Sequence, residues 1–123
     1  MKFTQEFGAG TYAITAYANG QIRVNETVHT TSLIIAPARL DTEWAPEVFE
    51  DLNTETLAPL LAWEPEIVVL GTGESQRFPP PEVFRLFREQ GIGLEVMDTG
   101  SACRTYNILM AEGRHVMAAL LQI

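Results

Sequence analysis

The sequence predicts an α/β chain of the α+β kind with a mixed sheet, and three observations predict it. An alternating stretch broken by Asn19-Gly20 opens the chain as an antiparallel hairpin. Apolar runs at residues 67–70, 92–97 and 116–123 then alternate with two amphipathic segments, which reads as β-α-β-α-β with helices packed on the sheet. A length of 123 residues, with 46% hydrophobic and 20% charged side chains, suits a single domain over residues 1–123 with a core of its own.

In the opening stretch Tyr12, Ile14, Ala16 and Ala18 share one face, and Thr11, Ala13, Thr15 and Tyr17 the other. An Asn-Gly pair adopts the positive φ angles of a type I′ turn at little cost, so Asn19-Gly20 should reverse the chain. Ile22 and Val24 continue the alternation on a returning strand expected to reach about Val28. Residues 32–36 are apolar and β-branched, a third strand stopped at Pro37, which cannot donate to a central ladder. Between residues 41 and 63 the pattern turns helical but is cut by Pro46 and Pro59. That predicts a short turn near 46–52 and a helix capped by Asn53 or Thr54 with Leu57, Leu60 and Leu61 inward.

The run at 67–70, bounded by Pro65 and Gly71, is apolar throughout and is expected as a central strand covered on both faces. Residues 82–90 follow as a helix burying Val83, Phe84, Leu86 and Phe87, with Gly91 as its stop. Residues 92–97 read as a strand and 98–112 as a helix entered through Asp98, Thr99 or Ser101. Residues 116–123 read as a closing strand. No repeat, low-complexity tract or linker divides the chain.

Sixteen acidic against eight basic side chains give a formal charge of −8, which opposes nucleic-acid phosphates and anionic lipid, so no nucleic-acid partner is expected. Cys103 is the single cysteine and the chain has two histidines, so neither an intrachain disulfide nor a spaced zinc set is available, and no metal or cofactor is expected. The apolar runs fall far short of the roughly 20 residues that cross a bilayer. The opening letters MKFTQEFGAG hold one lysine, no apolar core and an early Glu6, unlike a secretory signal or a transit peptide. A cytoplasmic location is therefore expected.

The best site candidate is the loop after the strand at 67–70, where open α/β sheets present ligand crevices. Gly71, Thr72 and Gly73 permit close backbone approach, Ser75 supplies a hydroxyl, and Arg77 can pair with an anion. The pattern is neither a dinucleotide G-x-G-x-x-G nor a P-loop, Glu74 repels phosphate, and Pro79, Pro80 and Pro81 remove amide donors. Cys103 and Arg104 stand near the start of a helix, where the dipole can lower a thiol pKa, yet nothing brings His29 or His115 to Cys103 as a base. Glu43, Glu47, Glu50, Asp51 and Glu55 lack calcium-loop spacing and read as a solvated acidic face, with Trp44, Phe49 and Trp63 as core or as a partner-binding patch.

The motifs Gly71-Thr72-Gly73, Asp98-Thr99 with Ala102, Thr105-Tyr106-Asn107 and Glu112-Gly113-Arg114 resemble the Mth-like family of small domains of unassigned function. Residues 17–24 and Pro37-Ala38-Arg39 extend the likeness. That family includes mitochondrial complex I assembly factor 3 and adipogenesis-associated Mth-like domain proteins. The resemblance implies a mixed-strand fold with two helices and a β-hammerhead-like element. It also implies a non-enzymatic protein-binding or assembly-factor-like module, whose protein partners it does not name and whose self-association stays open. The alternative is a small anionic ligand-binding or enzyme domain built on the loop at residues 71–77.

Overall fold

The computed structural model describes residues 11–123, and the opening letters MKFTQEFGAG lie outside the described residues. Strands β1 (Ile14–Ala18), β2 (Gln21–Val24) and β3 (Thr27–His29) form an antiparallel sheet in that order. Strands β4 (Leu33–Ala36), β5 (Arg39–Asp41), β6 (Ile67–Gly71), β7 (Gly93–Met97) and β8 (Val116–Leu120) form a second sheet in the order β5-β4-β8-β6-β7. There β6 runs parallel to β7 and β8, while β4 is antiparallel to β5 and β8, so the sheet is mixed as expected. The helices are α1 (Thr54–Leu57), α2 (Pro81–Glu89) and α3 (Thr99–Ala111), with 3₁₀ turns at Phe49–Asp51 and Ala58–Trp63.

The hairpin departs from its expected detail in three places. Gly20 has φ 73 but Asn19 is not among the positive-φ residues, so the turn has the φ signs of type II, not type I′. The Gly20 amide is held from outside the hairpin, donating to the Ile123 carbonyl at 3.0 Å. The returning strand does not run on to Val28. It breaks at Asn25, φ 51, whose amide donates to the Ala13 carbonyl at 2.8 Å and whose Oδ1 accepts the Ala13 N–H at 2.9 Å. A second turn follows, pairing Val24 with Thr27. Finally, a bulge between Ile14 and Ala16 breaks the alternation, so Ala13 and Ile14 are both buried.

Pro37 ends β4 as expected, but the chain turns at once into β5, pairing Ala36 with Arg39. The closing strand expected at residues 116–123 forms over Val116–Leu120 and is the middle of the second sheet, because β4 adds to its outer side with Ile35 opposite Ala118.

The five-stranded sheet sorts its side chains by the period of two that strands impose. Leu33, Ile35, Val69, Ala118 and Leu120 face α3 and the three-stranded sheet beyond it. Ile34, Val68, Leu70, Met117 and Ala119 face Leu57, Leu60, Val83 and Phe87 of the other helical layer. Each valine, leucine, isoleucine, methionine or phenylalanine among them contributes about 1.5–3 kcal/mol on full burial. Asn53 caps α1 through the Thr56 N–H at 3.0 Å, and Pro59 sits at the start of the following 3₁₀ turn, where a missing N–H costs least.

Candidate functional site

The loop after β6 is drawn inward onto the start of α3. A Cβ on Gly71 would stand 2.9 Å from Thr99 Oγ1 and 3.0 Å from Thr99 Cα, so only glycine lets the helix approach this closely. The buried Thr99 hydroxyl donates to the Leu121 carbonyl at 2.8 Å and accepts the Gly73 N–H at 2.8 Å. Thr72 Oγ1 donates to the Ser75 carbonyl at 2.7 Å and accepts the Arg77 N–H at 3.2 Å, and the Thr72 N–H reaches the Met97 carbonyl at 2.9 Å. The amides of Thr72, Gly73 and Arg77, three of the donors the loop could offer an anion, are thus engaged within the protein.

Arg77 points out of the loop. Its Nη2 lies 2.8 Å from Glu50 Oε2, and its guanidinium covers the Phe49 ring at 4.1 Å. The Arg77 hydrogen bond holds the Glu50 carboxyl below its ordinary pKa. The two contacts tie the 71–77 loop to the 3₁₀ turn at Phe49–Asp51 and flank Val48 and Phe78, which are 53% and 66% exposed.

Cys103 is buried in the core beneath α3, and burial pushes its thiol up to about 12 against the pull of the Arg104 charge. A thiol so raised carries a negligible thiolate fraction at neutral pH, whatever the helix dipole offers. Arg104 turns the other way, donating to the Tyr17 hydroxyl and, at 3.1 Å, to Ser101 Oγ, which donates to Asp98 Oδ2 at 2.8 Å. A Cβ on Gly100 would lie 2.9 Å from the Tyr17 ring, so the glycine lets the ring end of Tyr17 pack against the start of α3.

The structure therefore brings Gly71, Thr72, Gly73 and Ser75 together, joins Arg77 to Glu50, and sets Cys103 and Arg104 apart on α3. None of the seven lines either of two surface concavities of about 350 and 360 Å³. The first lies among Pro37, Arg39, Trp63, Glu64, Pro65 and His115. The second lies among Thr30, Thr31, Ser32, Trp44, Glu47 and Gln122. The first escaped sequence reasoning because three distant segments meet there, joined by the pairing of Ile35 with Ala118. Among the described residues no group of three or more histidine, cysteine or acidic side chains could hold a metal ion.

A helix held between a small antiparallel sheet and a mixed five-stranded sheet, with a self-bonded glycine loop at its start, defines a class of small mixed α/β proteins. The chain belongs to the family described as protein of unknown function DUF498/DUF598, whose model matches residues 14–121. It is similar to a solved structure from Bordetella parapertussis, with a TM-score of 0.87 and 37% identity over 94% of this chain and 98% of that one. A Bordetella pertussis protein described as an Mth938-like domain matches with a TM-score of 0.84 and 31% identity over 99% of this chain and 92% of that one. These neighbours place the chain in the Mth-like fold.

Among curated relatives, NADH dehydrogenase (ubiquinone) 1 alpha subcomplex assembly factor 3 of Bos taurus is 41% identical over 81 residues. That stretch is 64% of this chain and 44% of the relative, so the chain spans less than half of the assembly factor's length. A Francisella tularensis relative, 29% identical over 85% of this chain and 86% of its own, is called a 13 kDa major membrane protein. No helix among the described residues is long and apolar enough to cross a membrane.

Proposed function

We propose that this chain is a protein-binding module acting in the assembly of a larger complex, without a catalytic step of its own. The observation that carries it is the pairing of Arg77 with Glu50 and Phe49, which holds Val48 and Phe78 outward on two loops pinned to each other. Large apolar side chains fixed in solvent beside an ordered ion pair suit the centre and rim of a transient interface. The name of the bovine relative supports an assembly role, and the relative's greater length leaves its partner outside what this chain can be assumed to share. In this reading residues 1–123 fold as one domain in the cytoplasm, and the membrane name of the Francisella relative makes cell fractionation its check. An anion held by the 71–77 loop has less support, because the loop amides of Thr72, Gly73 and Arg77 already have partners.

Photo-crosslinking from position 78, with position 108 on α3 as the control, tests the proposal. A discrete adduct from 78 that falls about tenfold in Val48→Asp, a loss equivalent to about 1.4 kcal/mol, is the expected result. An adduct with a second copy would identify the partner as the chain itself. Equal labelling from both positions, or none from 78, would remove the proposal.

A further inference from the structure

We infer that the groove beside the β4–β5 turn binds organic monocarboxylates that carry a small apolar body. The inference stands apart from the contact patch at Phe78 and rests on other residues. Ala36, Pro37, Pro65, Val116 and Met117 give the groove mainly apolar walls, and its volume of about 350 Å³ suits a small organic acid. Arg39 is exposed at its mouth, with its guanidinium 4.1 Å from the centroid of the Trp63 ring. An indole face beneath the guanidinium plane orients the fork of N–H donors while leaving its edge open, the geometry in which arginine takes a carboxylate with two parallel bonds.

Among the described residues the ion pairs are Arg77 with Glu50 and Arg114 with Glu66, and no carboxylate lies within ion-pair distance of Arg39. In a chain with sixteen acidic and eight basic residues, a cation stacked in place with no acidic partner among the described residues is open to one from outside. Glu64, with a left-handed backbone at φ 51 and ψ 51, turns the chain between Trp63 and Pro65 so that both line the groove, and Glu64 is itself part of the lining. An acidic side chain beside the groove disfavours a phosphate dianion more than a monocarboxylate. His115 is the other titratable side chain in the lining.

The same chemistry is available from a free acid or from the last residue of a protein chain, and four probes separate the sources. 4-Methylpentanoate represents the free acid, N-acetyl-glycyl-leucine the peptide carboxylate, its carboxamide the uncharged control, and inorganic phosphate the bare anion. Amide chemical shifts of the full chain should move saturably at residues 36–39, 63–65 and 115–117 with either acid. Binding of the dipeptide alone would assign the carboxylate to a chain terminus, and binding of 4-methylpentanoate alone would assign it to a metabolite. Arg39→Gln should weaken binding about tenfold or more, and Trp63→Leu, which removes the ring beneath the guanidinium, should weaken it in the same direction. An Arg39→Gln spectrum unchanged away from the groove verifies its fold. Equal binding of the carboxamide would reduce the site to an apolar cleft, and equal binding of phosphate would make it a general anion site. Either result overturns the inference, as does the absence of saturation by both acids at about 10 mM, well above a millimolar dissociation constant.

Discussion

The corner where the loop after β6 meets the start of α3 and the groove beside β5 belong to the same sheet but treat polar groups in opposite ways. At the corner, Thr72, Gly73, Thr99 and Asp98 direct their donors and acceptors into the protein and find partners at 2.7–2.9 Å. At the groove, Arg39 lies over Trp63 with no carboxylate partner among the described residues. A glycine-rich loop is thus not a binding site by virtue of its glycines. What distinguishes the two regions is whether the polar groups already have partners, so variants that disturb the engaged region one contact at a time test the contrast.

The largest effect should come from Asn107→Leu. Asn107 is 2% exposed, and its Oδ1 accepts the Ile14 N–H at 3.0 Å while its Nδ2 donates to the Ile14 carbonyl at 2.6 Å. The side chain therefore pairs with β1 as a strand residue would and fastens α3 to the three-stranded sheet. Leucine keeps the branched shape, with bulkier methyl groups, but leaves a buried N–H and a buried carbonyl unpaired, at a cost of about 4 kcal/mol for the two. Urea unfolding should register that loss as a large fraction of total stability. A change below about 1 kcal/mol would mean that the other contacts between α3 and the three-stranded sheet hold it without Asn107.

Gly71→Ala tests the close approach at the corner itself. Its new methyl group meets backbone as well as a side chain of Thr99, so the helix must shift, and about 1–3 kcal/mol should be lost. Gly93→Ala is the matched control in the neighbouring strand, where the nearest atom would be Ile67 Cγ1 at an ordinary 3.6 Å. Equal melting temperatures for the two variants would show that Gly71 serves the loop's flexibility and not its packing.

Much of this architecture was legible because local physics wrote it. The alternation of residues 14–18 and 21–24 predicted the hairpin, and the apolar runs with their intervening amphipathic segments predicted the order β6-α2-β7-α3-β8. Asn53 and Asp98 announced their helices as caps. Most of what the sequence left unread depends on partners distant in sequence. The turn at Asn25 depends on Ala13, the central place of β8 depends on β4, and the inward bonding of the loop depends on Thr99 and Leu121. For the candidate site, sequence located the glycine loop but could not tell that its amides were engaged. Arg39 and Trp63 carried no shared signal at all, because only the fold of β4 against β8 and the turn at Glu64 bring them together.

The smallest effect belongs to Asp98, the partly exposed member of the corner, and it carries a pH signature the others lack. Its Oδ1 accepts the Ser101 N–H at 2.9 Å and its Oδ2 the Ser101 hydroxyl at 2.8 Å. The backbone bond from Ser101 chiefly holds its carboxyl below the ordinary value, helped by the Ser101 hydroxyl and the Arg104 charge and opposed by burial. Asp98→Ala should remove about 1 kcal/mol as a lost helix cap, whereas Asp98→Asn keeps the acceptor and should lose only a few tenths, about the worth of the charge near the helix dipole. Because the folded pKa is depressed, the charge-dependent part is fully present above the unfolded value of about 4 and is lost as pH falls through the lower folded value. The stability gap between wild type and Asp98→Asn should therefore be constant near neutrality and close below about pH 4. A gap that widened in acid would show that the carboxylate is a liability in the folded corner, and the corner could no longer be counted as a region whose polar groups are all favourably engaged.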